Sequence, residues 1–529
     1  MPADTQAIPP ASTLGAAQRA ARRAVRRALR RALRSAAPVR PATRTRRFAY
    51  AWLAVFMVSG LLLAHFYPHS AFEDAGTHFL FARSAWHHPE IFVSVWGRPL
   101  FTVLFAVPAL LGYPAAKLVT VVVCAVTAWQ SYRIAEEAGF ERPELVIPLL
   151  YLQPTYFLLS ADTMTEPLFA MIFIIALRLH LRGQIRSGMI VASLMILARP
   201  EGFFLGVLWG AWVLFDRRDA RPWWRRIPSV AWLASGAVAW WLAALVITHD
   251  PLFIRHNWPG EWTTTPTALT LQPLLDSMHK YWLQRIEITG RWLFVPFATG
   301  FVVLVARRRL FTLTTAVLTI FLLHGVFRAY GIFHSTGEPR YFITVAPAIA
   351  LIMLVGWNAL VRLLAWLPRP LVTAAAAIVL ARVALATVYF VDGIPWARDA
   401  LAVRQMYGWF QDHKRPVHQL IWSQTYMCIL FGRDAWEEPK WEHVWTRDGW
   451  VWDHARNVQL IRESPPGTLV FWDGQTGPTF WGITASDFAA NGYTLLRDST
   501  YVLDGYFKQP IGSSYRGPET VHLYLLYKQ

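Results

Sequence analysis

The chain has 529 residues, of which 55% are hydrophobic and only 16% charged, with 27 Trp and a formal net charge of +18. A mean hydropathy of +0.30 at this size excludes a water-soluble fold, which cannot hide so much apolar surface. The basic excess does not signal nucleic acid: much of it lies in one stretch, Arg19 to Arg47, ahead of the first apolar run.

In that stretch Val25, Leu29 and Leu33 recur every four residues between arginine pairs. The pattern reads as a basic amphipathic helix on an anionic inner leaflet, or equally as a disordered arm that fixes topology. No cleavable signal is evident, because the apolar run that follows is too long and has no small-residue cleavage site.

Uncharged runs at 48–64, 145–161, 229–248 and 341–360 reach or approach the length that crosses a hydrocarbon core of about 30 Å at roughly 1.5 Å per residue. Helices are the crossing elements, since lipid satisfies no backbone hydrogen bond. Arginines cluster before residue 48, at Arg133 and Arg142, at Arg178, Arg182 and Arg186, from Arg217 to Arg226, from Arg307 to Arg309, and at Arg362 and Arg369. Placing all of them in the cytoplasm predicts a polytopic α-helical membrane protein. Its eleven spans are at about 48–66, 114–134, 145–160, 166–182, 187–199, 201–215, 229–248, 290–306, 310–327, 341–361 and 370–390. The chain is then a multi-pass protein of the cell (inner) membrane, with a cytoplasmic N-terminus and an extracytoplasmic C-terminal domain.

Residues 187–215 are read as two short spans, with Arg199-Pro200-Glu201-Gly202 as their outer turn. One long helix would invert every later arginine cluster, and Pro and Gly suit a turn. The apolar stretch 98–112 is too short to cross, so it is predicted as a helix lying along the membrane or dipping into it. Residues 392–529 gain Asp, Gly, Gln and Lys, with strand-like runs at 467–472 and 522–527, which predicts an extracytoplasmic α/β domain. The three units are 1–47, basic and cytoplasmic; 48–391, transmembrane; and 392–529, extracytoplasmic. Cys124 lies in a span and Cys428 in the outer tail, so they should not pair. No Cys/His metal spacing, repeat or Gly-rich phosphate loop occurs. The sequence requires no cofactor, and a divalent metal has no support in it.

Two acidic clusters fall on the outer side of this topology. Glu73 and Asp74 follow the first span, and Asp162 and Glu166 lie between the third and fourth. With Thr165-Glu166-Pro167-Leu168, Leu197-Ala198-Arg199-Pro200-Glu201-Gly202 and Glu338-Pro339-Arg340-Tyr341, they form an ordered set at outer span ends. By that set, the chain resembles the GT-C superfamily of polyprenyl-phosphate-sugar-dependent glycosyltransferases, which includes protein O-mannosyltransferases and lipid A aminoarabinose transferases. The likeness covers roughly 48–390. It implies transfer, by inversion, of a sugar from a polyprenyl-phosphate donor to a glycan, lipid or protein acceptor. It also implies contact with membrane lipids and no nucleic-acid partner.

The chemistry fits those residues. An attacking hydroxyl must lose a proton, so a carboxylate serves as general base. The leaving lipid phosphate needs fixed cations, and the planar fork of Arg suits it. The catalytic candidates are therefore Asp74, Glu73, Glu166 and Asp162. The acidic pair is Glu-Asp where the superfamily commonly has Asp-Glu or Asp-Asp, which leaves the base open between Glu73 and Asp74. The substrate-binding candidates are Arg199, Arg340, Tyr341, Glu338, His78 and His334. Each has a structural alternative: Asp162 and Glu166 as helix caps, Arg199 paired with Glu201, Arg340 paired with Glu338, and the histidines, His324 included, as local hydrogen-bond partners. Arg382 falls near the middle of the eleventh span, where a charge usually faces a partner or cavity. The competing function is a transporter or flippase of lipid-linked sugars, which should show charges near the midplane and matching halves.

Overall fold

The computed structural model describes residues 43–67, 73–216, 221–259, 270–335, 337–392, 398–413, 415–422, 426–441, 443–446, 449–474, 477–503 and 519–529. Nearly all of the amphipathic helix predicted for 19–47 falls outside these residues.

The membrane part is helical. In chain order its main helices are α1 (Thr43–Phe66), α2 (Glu73–Ser84), α3 (Pro99–Leu110) and α4 (Tyr113–Glu137), then α5 (Thr165–Leu181), α6 (Ile185–Ala198), α7 (Gly202–Leu214) and α8 (Ser235–Thr248). They are followed by α9 (Leu271–Leu283), α10 (Phe294–Arg307), α11 (Phe311–Ala329), α12 (Ala346–Leu363) and α13 (Arg369–Asp392). Six described helices are long and apolar enough to cross a membrane: Thr45–Phe66, Tyr113–Glu137, Trp223–Thr248, Phe311–Ala329, Pro339–Leu363 and Arg369–Val388. The other predicted spans are shorter helices. The one expected at 145–160 is broken into Val146–Tyr151 and Pro154–Leu159, because Pro154 cannot supply an amide to a continuous helix.

Burial orders the bundle. Pro339–Leu363 is 89% buried across its apolar window, whereas Arg369–Val388 is 11% buried. The first is therefore the axis, packed on α10 and α11, and the second is a peripheral helix presenting its apolar surface to lipid. Arg382 is exposed on that helix rather than facing a cavity. A long arginine stem lets the charge reach toward the interface.

The predicted turn at 199–202 is present. α6 ends at Ala198, Arg199 is extended (φ −160°), and α7 begins at Gly202. Glycine is required there by space, because a Cβ would overlap the backbone of Met195 and Ile196.

The arginine clusters gather at one end of the bundle. Arg46 pairs with Glu136 at 3.1 Å, Arg178 and Arg182 with Glu137 at 2.6 and 2.7 Å, and Arg362 with Glu141 at 2.7 Å. Arg309 donates to the Ala138 carbonyl at 3.1 Å. Clusters far apart in sequence thus share the end of the molecule marked by the start of α1 and the end of α4. The acidic motifs lie at the other end.

Beyond that other end is a small α/β unit. Strands β1 (Gln419–Trp422), β4 (Thr468–Asp473), β6 (Glu519–Lys528) and β5 (Tyr493–Leu503) form a sheet in the order β1-β4-β6-β5. β1 runs parallel to β4, and the other pairs are antiparallel. β2 (His443–Thr446) and β3 (Gly449–Trp452) make a separate hairpin. β4 is buried along its whole length, which its Thr-Leu-Val-Phe-Trp-Asp run anticipates. Helix α14 (Arg398–Asp412) packs on β6, and α15 (Tyr426–Phe431) packs on α2. Cys124 and Cys428 are both free and buried.

Candidate active site

Four segments converge at the end of the bundle opposite the arginine clusters: the start of α2, the start of α5, the turn between α6 and α7, and the short 3-10 segment Pro339–Val345 that leads into α12. α5 opens on Thr165-Glu166-Pro167. A carboxylate in a first helical turn and proline near it are both favourable for a helix start. The helix that buries Glu166 therefore also fixes where its carboxylate points.

Arg340 is the hub. Its Nη2 lies 2.8 Å from Asp74 Oδ2, its Nε lies 3.9 Å from Glu166 Oε1, and Nε also pairs with Glu338. Arg199 is the second cation. Its Nη1 lies 2.7 Å from the same Glu166 oxygen and 3.1 Å from Thr165 Oγ1, and its Nη2 lies 2.8 Å from Glu201 Oε1. Tyr341 sits between the two guanidiniums, each 5.6 Å from its ring centre, and stacks on His324 at 4.6 Å. His324 Nε2 in turn lies 3.7 Å from Glu201.

Exposure separates the acids. The side chains of Glu166 and Glu201 are 0% and 7% exposed, while those of Asp74 and Glu338 are 37% and 33% exposed. The buried pair is locked into the arginine framework. The exposed pair is the part of that framework open to solvent. Burial raises the pKa of Asp74, but Arg340 overcomes this and holds it below the usual carboxylate range. Asp74 is therefore ionised at neutral pH and able to accept a proton.

The remaining predicted residues divide. Asp162 is fully buried, accepts from Tyr113 Oη at 2.9 Å and from the Thr163 amide at 2.9 Å, and so anchors its own turn. Thr163 Oγ1 then donates to the Ala75 carbonyl at 2.7 Å, one residue from Asp74. Asp162 thus acts through the backbone that carries Asp74 and does not reach solvent. His78 lies one helical turn beyond Asp74, edge-on to Trp96 at 5.1 Å. Burial first, then Arg98, push its pKa down to about 3, so it is neutral in the physiological range. Glu73 opens α2, and His334 closes a 3-10 turn; the side chains of both lie outside the described residues.

Two residues not singled out as candidates join the site. Glu201 holds Arg199, as above. Arg98 is buried, its Nη1 donates to the Val95 carbonyl at 3.1 Å, and its backbone is in a left-handed conformation at φ +59°. Burial first, then repulsion from Arg199, lower its pKa to about 10, against the pull of Glu201, Glu166 and Asp74. It stays a cation at pH 7. A non-glycine residue in that conformation is strained and is held there by its surroundings. The local sequence Gly97-Arg98-Pro99 is the only signal that could have found it.

The far end of α2 is held by the α/β unit. Ser84 Oγ donates to Asp434 Oδ1 at 2.6 Å, and Arg83 Nη2 donates to the Cys428 carbonyl at 3.3 Å. Near this junction His88, Asp434 and Glu437 bring ligand atoms within 4.8 Å of one another. This is a metal-capable trio at the opposite end of α2 from Asp74. Among the described residues, no such group forms around Asp74 itself.

These features define a helical membrane protein with a carboxylate–arginine site at one end and an α/β unit beyond it. The sequence matches no family model, and no curated protein matches it. Solved structures do match. ArnT from Cupriavidus metallidurans in the apo state aligns with a TM-score of 0.55 at 15% identity, over 90% of this chain and 98% of that one. ArnT from the same organism bound to undecaprenyl phosphate aligns at 0.53 and 14%, over 92% and 98%. The chain has the fold of ArnT along nearly its whole length, which is the GT-C fold that the sequence resemblance implied.

Proposed function

We propose that this protein is an inverting glycosyltransferase. It moves a sugar from a polyprenyl-phosphate-sugar donor to a hydroxyl acceptor at the outer face of the cytoplasmic membrane, with its N-terminus inside and its α/β unit outside. The observation that carries the reading is the shared guanidinium of Arg340, which sits between a half-exposed carboxylate, Asp74, and a buried framework carboxylate, Glu166. The capture of undecaprenyl phosphate by an ArnT of the same fold supports a lipid phosphate as the anion that meets this framework.

The donor phosphate competes with Asp74 and Glu338 for Arg340. When it wins, the guanidinium fork carries the phosphate and Asp74 loses its partner. Burial then acts on Asp74 unopposed, which makes it a stronger base. The acceptor hydroxyl oxygen attacks the anomeric carbon from the face opposite the phosphate. The new C–O bond forms as the old one breaks, the bonding pair leaves on the phosphate oxygen, and the hydroxyl proton passes to Asp74. One displacement inverts the anomeric centre. Arg340, Arg199 and Arg98 stabilise charge that grows on the leaving phosphate. Glu166 and Glu201 hold the arginines in place, and Asp162 acts as a positioning residue through Thr163 and Ala75.

The ion pairs gather at the two ends of the bundle, and no matching halves are evident in the sequence. Both facts favour transfer over a flippase, which needs polar groups through the membrane depth. Lipid extracts from cells with and without the protein test the function. A polyprenyl-phosphate-sugar that accumulates in its absence identifies the donor, and the anomeric configuration of the product tests inversion. Unchanged lipid pools together with no transfer by purified protein would overturn the reading.

A further inference from the structure

Beside Glu338, and outside the acid–arginine network, is a cavity of about 440 Å³ lined by Pro273, Asp276, Ser277, Arg328, Ala329 and Ser335. Its size falls in the roughly 300–1,000 Å³ range of small-molecule sites. The lining is unusual for a membrane protein because it is polar and of both signs. Asp276 is exposed and oriented by Gln272, whose Nε2 donates to its Oδ1 at 2.9 Å. Arg328 Nη1 donates to the buried Ser277 Oγ at 3.1 Å.

The helix that supplies Asp276 and Ser277 fixes where the cavity lies. On α9, Leu271, Leu275 and Trp282 are exposed at 65%, 51% and 52%. These apolar residues suit the lipid interface, with the polar face turned toward water. The opposite wall reaches the site. The Arg328 stem packs so closely on Gly337, the residue before Glu338, that a Cβ there would overlap Arg328 Cδ. Gly337 has φ +76°, so its neighbour Glu338 is placed by a turn that glycine alone adopts without strain.

We infer that this cavity binds the acceptor, and that the acceptor is a neutral saccharide. The inference rests on the transferase reading above. A carboxylate and a hydroxyl on one wall, facing a guanidinium on the other, offer acceptors and donors together. That array matches sugar hydroxyls, each of which donates and accepts. A phosphate would meet the carboxylate, and an amine would meet the guanidinium, so neither ion is favoured. Its Arg328 wall adjoins Gly337 and so Glu338, one of the two partly exposed carboxylates of the framework, while the proposed donor is held through its lipid and phosphate. The saccharide is either free glycan or the headgroup of a glycolipid, because the chemistry recognised is the same.

The test uses full-length protein in phosphatidylethanolamine–phosphatidylglycerol nanodiscs. Saturation-transfer difference NMR is recorded with methyl glycosides of common hexoses and, in a second arm, with a glucosyl diacylglycerol in the disc. Undecaprenyl phosphate binding is measured separately on the same samples. A saccharide signal in either arm is expected. It should survive saturating undecaprenyl phosphate and fall about tenfold or more in Asp276→Ala and Arg328→Gln, the worth of a hydrogen bond to a charged group. Both variants should still bind undecaprenyl phosphate, which shows that they are folded. A soluble-glycoside signal alone points to glycan, and a signal only in the lipid arm points to a headgroup. Absence of signal in both arms overturns the inference, and so does a signal that undecaprenyl phosphate displaces or that the variants retain. Failure of wild-type protein to bind undecaprenyl phosphate would instead count against the donor reading.

Discussion

Replacing Arg340 tests the phosphate assignment most directly. Arg340 touches Asp74, Glu166 and Glu338. Arg340→Ala therefore leaves Glu166 with Arg199 alone and leaves Asp74 with no arginine at contact distance. Breaking a fully buried pair costs roughly 3–5 kcal/mol. Asp74 and Glu338 are about a third exposed, so solvent screens much of that loss and the stability cost should lie below this range. The catalytic cost is separate. Loss of one fixed donor to a developing anion is worth about 10²–10³ in turnover, or about 2.7–4 kcal/mol. Arg340→Lys keeps the charge but not the fork, so it should fall between wild type and Ala. The assay is transfer from a labelled polyprenyl-phosphate sugar by protein in nanodiscs, with donor and acceptor varied independently. Arg340→Ala should raise the donor KM and lower kcat while leaving the acceptor KM within about twofold. The double variant Asp74→Asn/Arg340→Ala supplies the control. If Arg340 only neutralises Asp74, the double variant regains both stability and donor binding. If Arg340 holds phosphate, it regains stability alone. Unchanged donor affinity and turnover in Arg340→Ala, with a lowered melting temperature, would refute the assignment.

Further outcomes follow from the same geometry. Asp74→Asn should insert and fold normally yet lose transfer by about 10²-fold or more; near-normal turnover would remove Asp74 as the base. The lowered pKa of Asp74 means that its ionised form persists below the ordinary carboxylate range and is lost only as pH falls through that lowered value. The acid limb of kcat/KM should therefore lie low in wild type and move upward in Arg340→Gln, where burial acts without the guanidinium. A limb that stays put would show that another group titrates. Gly202→Ala places a Cβ against the Met195 and Ile196 backbone and should cost roughly 1–3 kcal/mol, read as a lower melting temperature with weakened donor binding as the Arg199 turn shifts. Single cysteines at Gln184 and Arg308 should be shielded from an impermeant maleimide in intact cells, while one at Asp276 reacts. Equal reactivity of the two groups would overturn the assignment of faces.

The sequence by itself determined the coarse architecture, for physical reasons that are local. Arginine clusters cannot enter lipid, so their spacing marked the end where Arg46, Arg178, Arg182 and Arg362 meet Glu136, Glu137 and Glu141. Pro200 and Gly202 marked the turn between α6 and α7. Strand-like runs at 467–472 and 522–527, separated by Pro and Gly, marked β4 and β6. The residue types of the site were legible too, because ionisable groups at span ends stand out in an apolar chain. What each of them does was decided by tertiary contacts between segments far apart in sequence. Asp162 and Glu166 looked alike on paper. One is tied to Tyr113 and supports the backbone beside Asp74, and the other is shared by two arginines. Arg98 carried no motif and became part of the site only because the fold buries it near Arg199. A side chain's role depends on which charges share its low-dielectric surroundings, and those are set by packing in three dimensions, not by its neighbours along the chain.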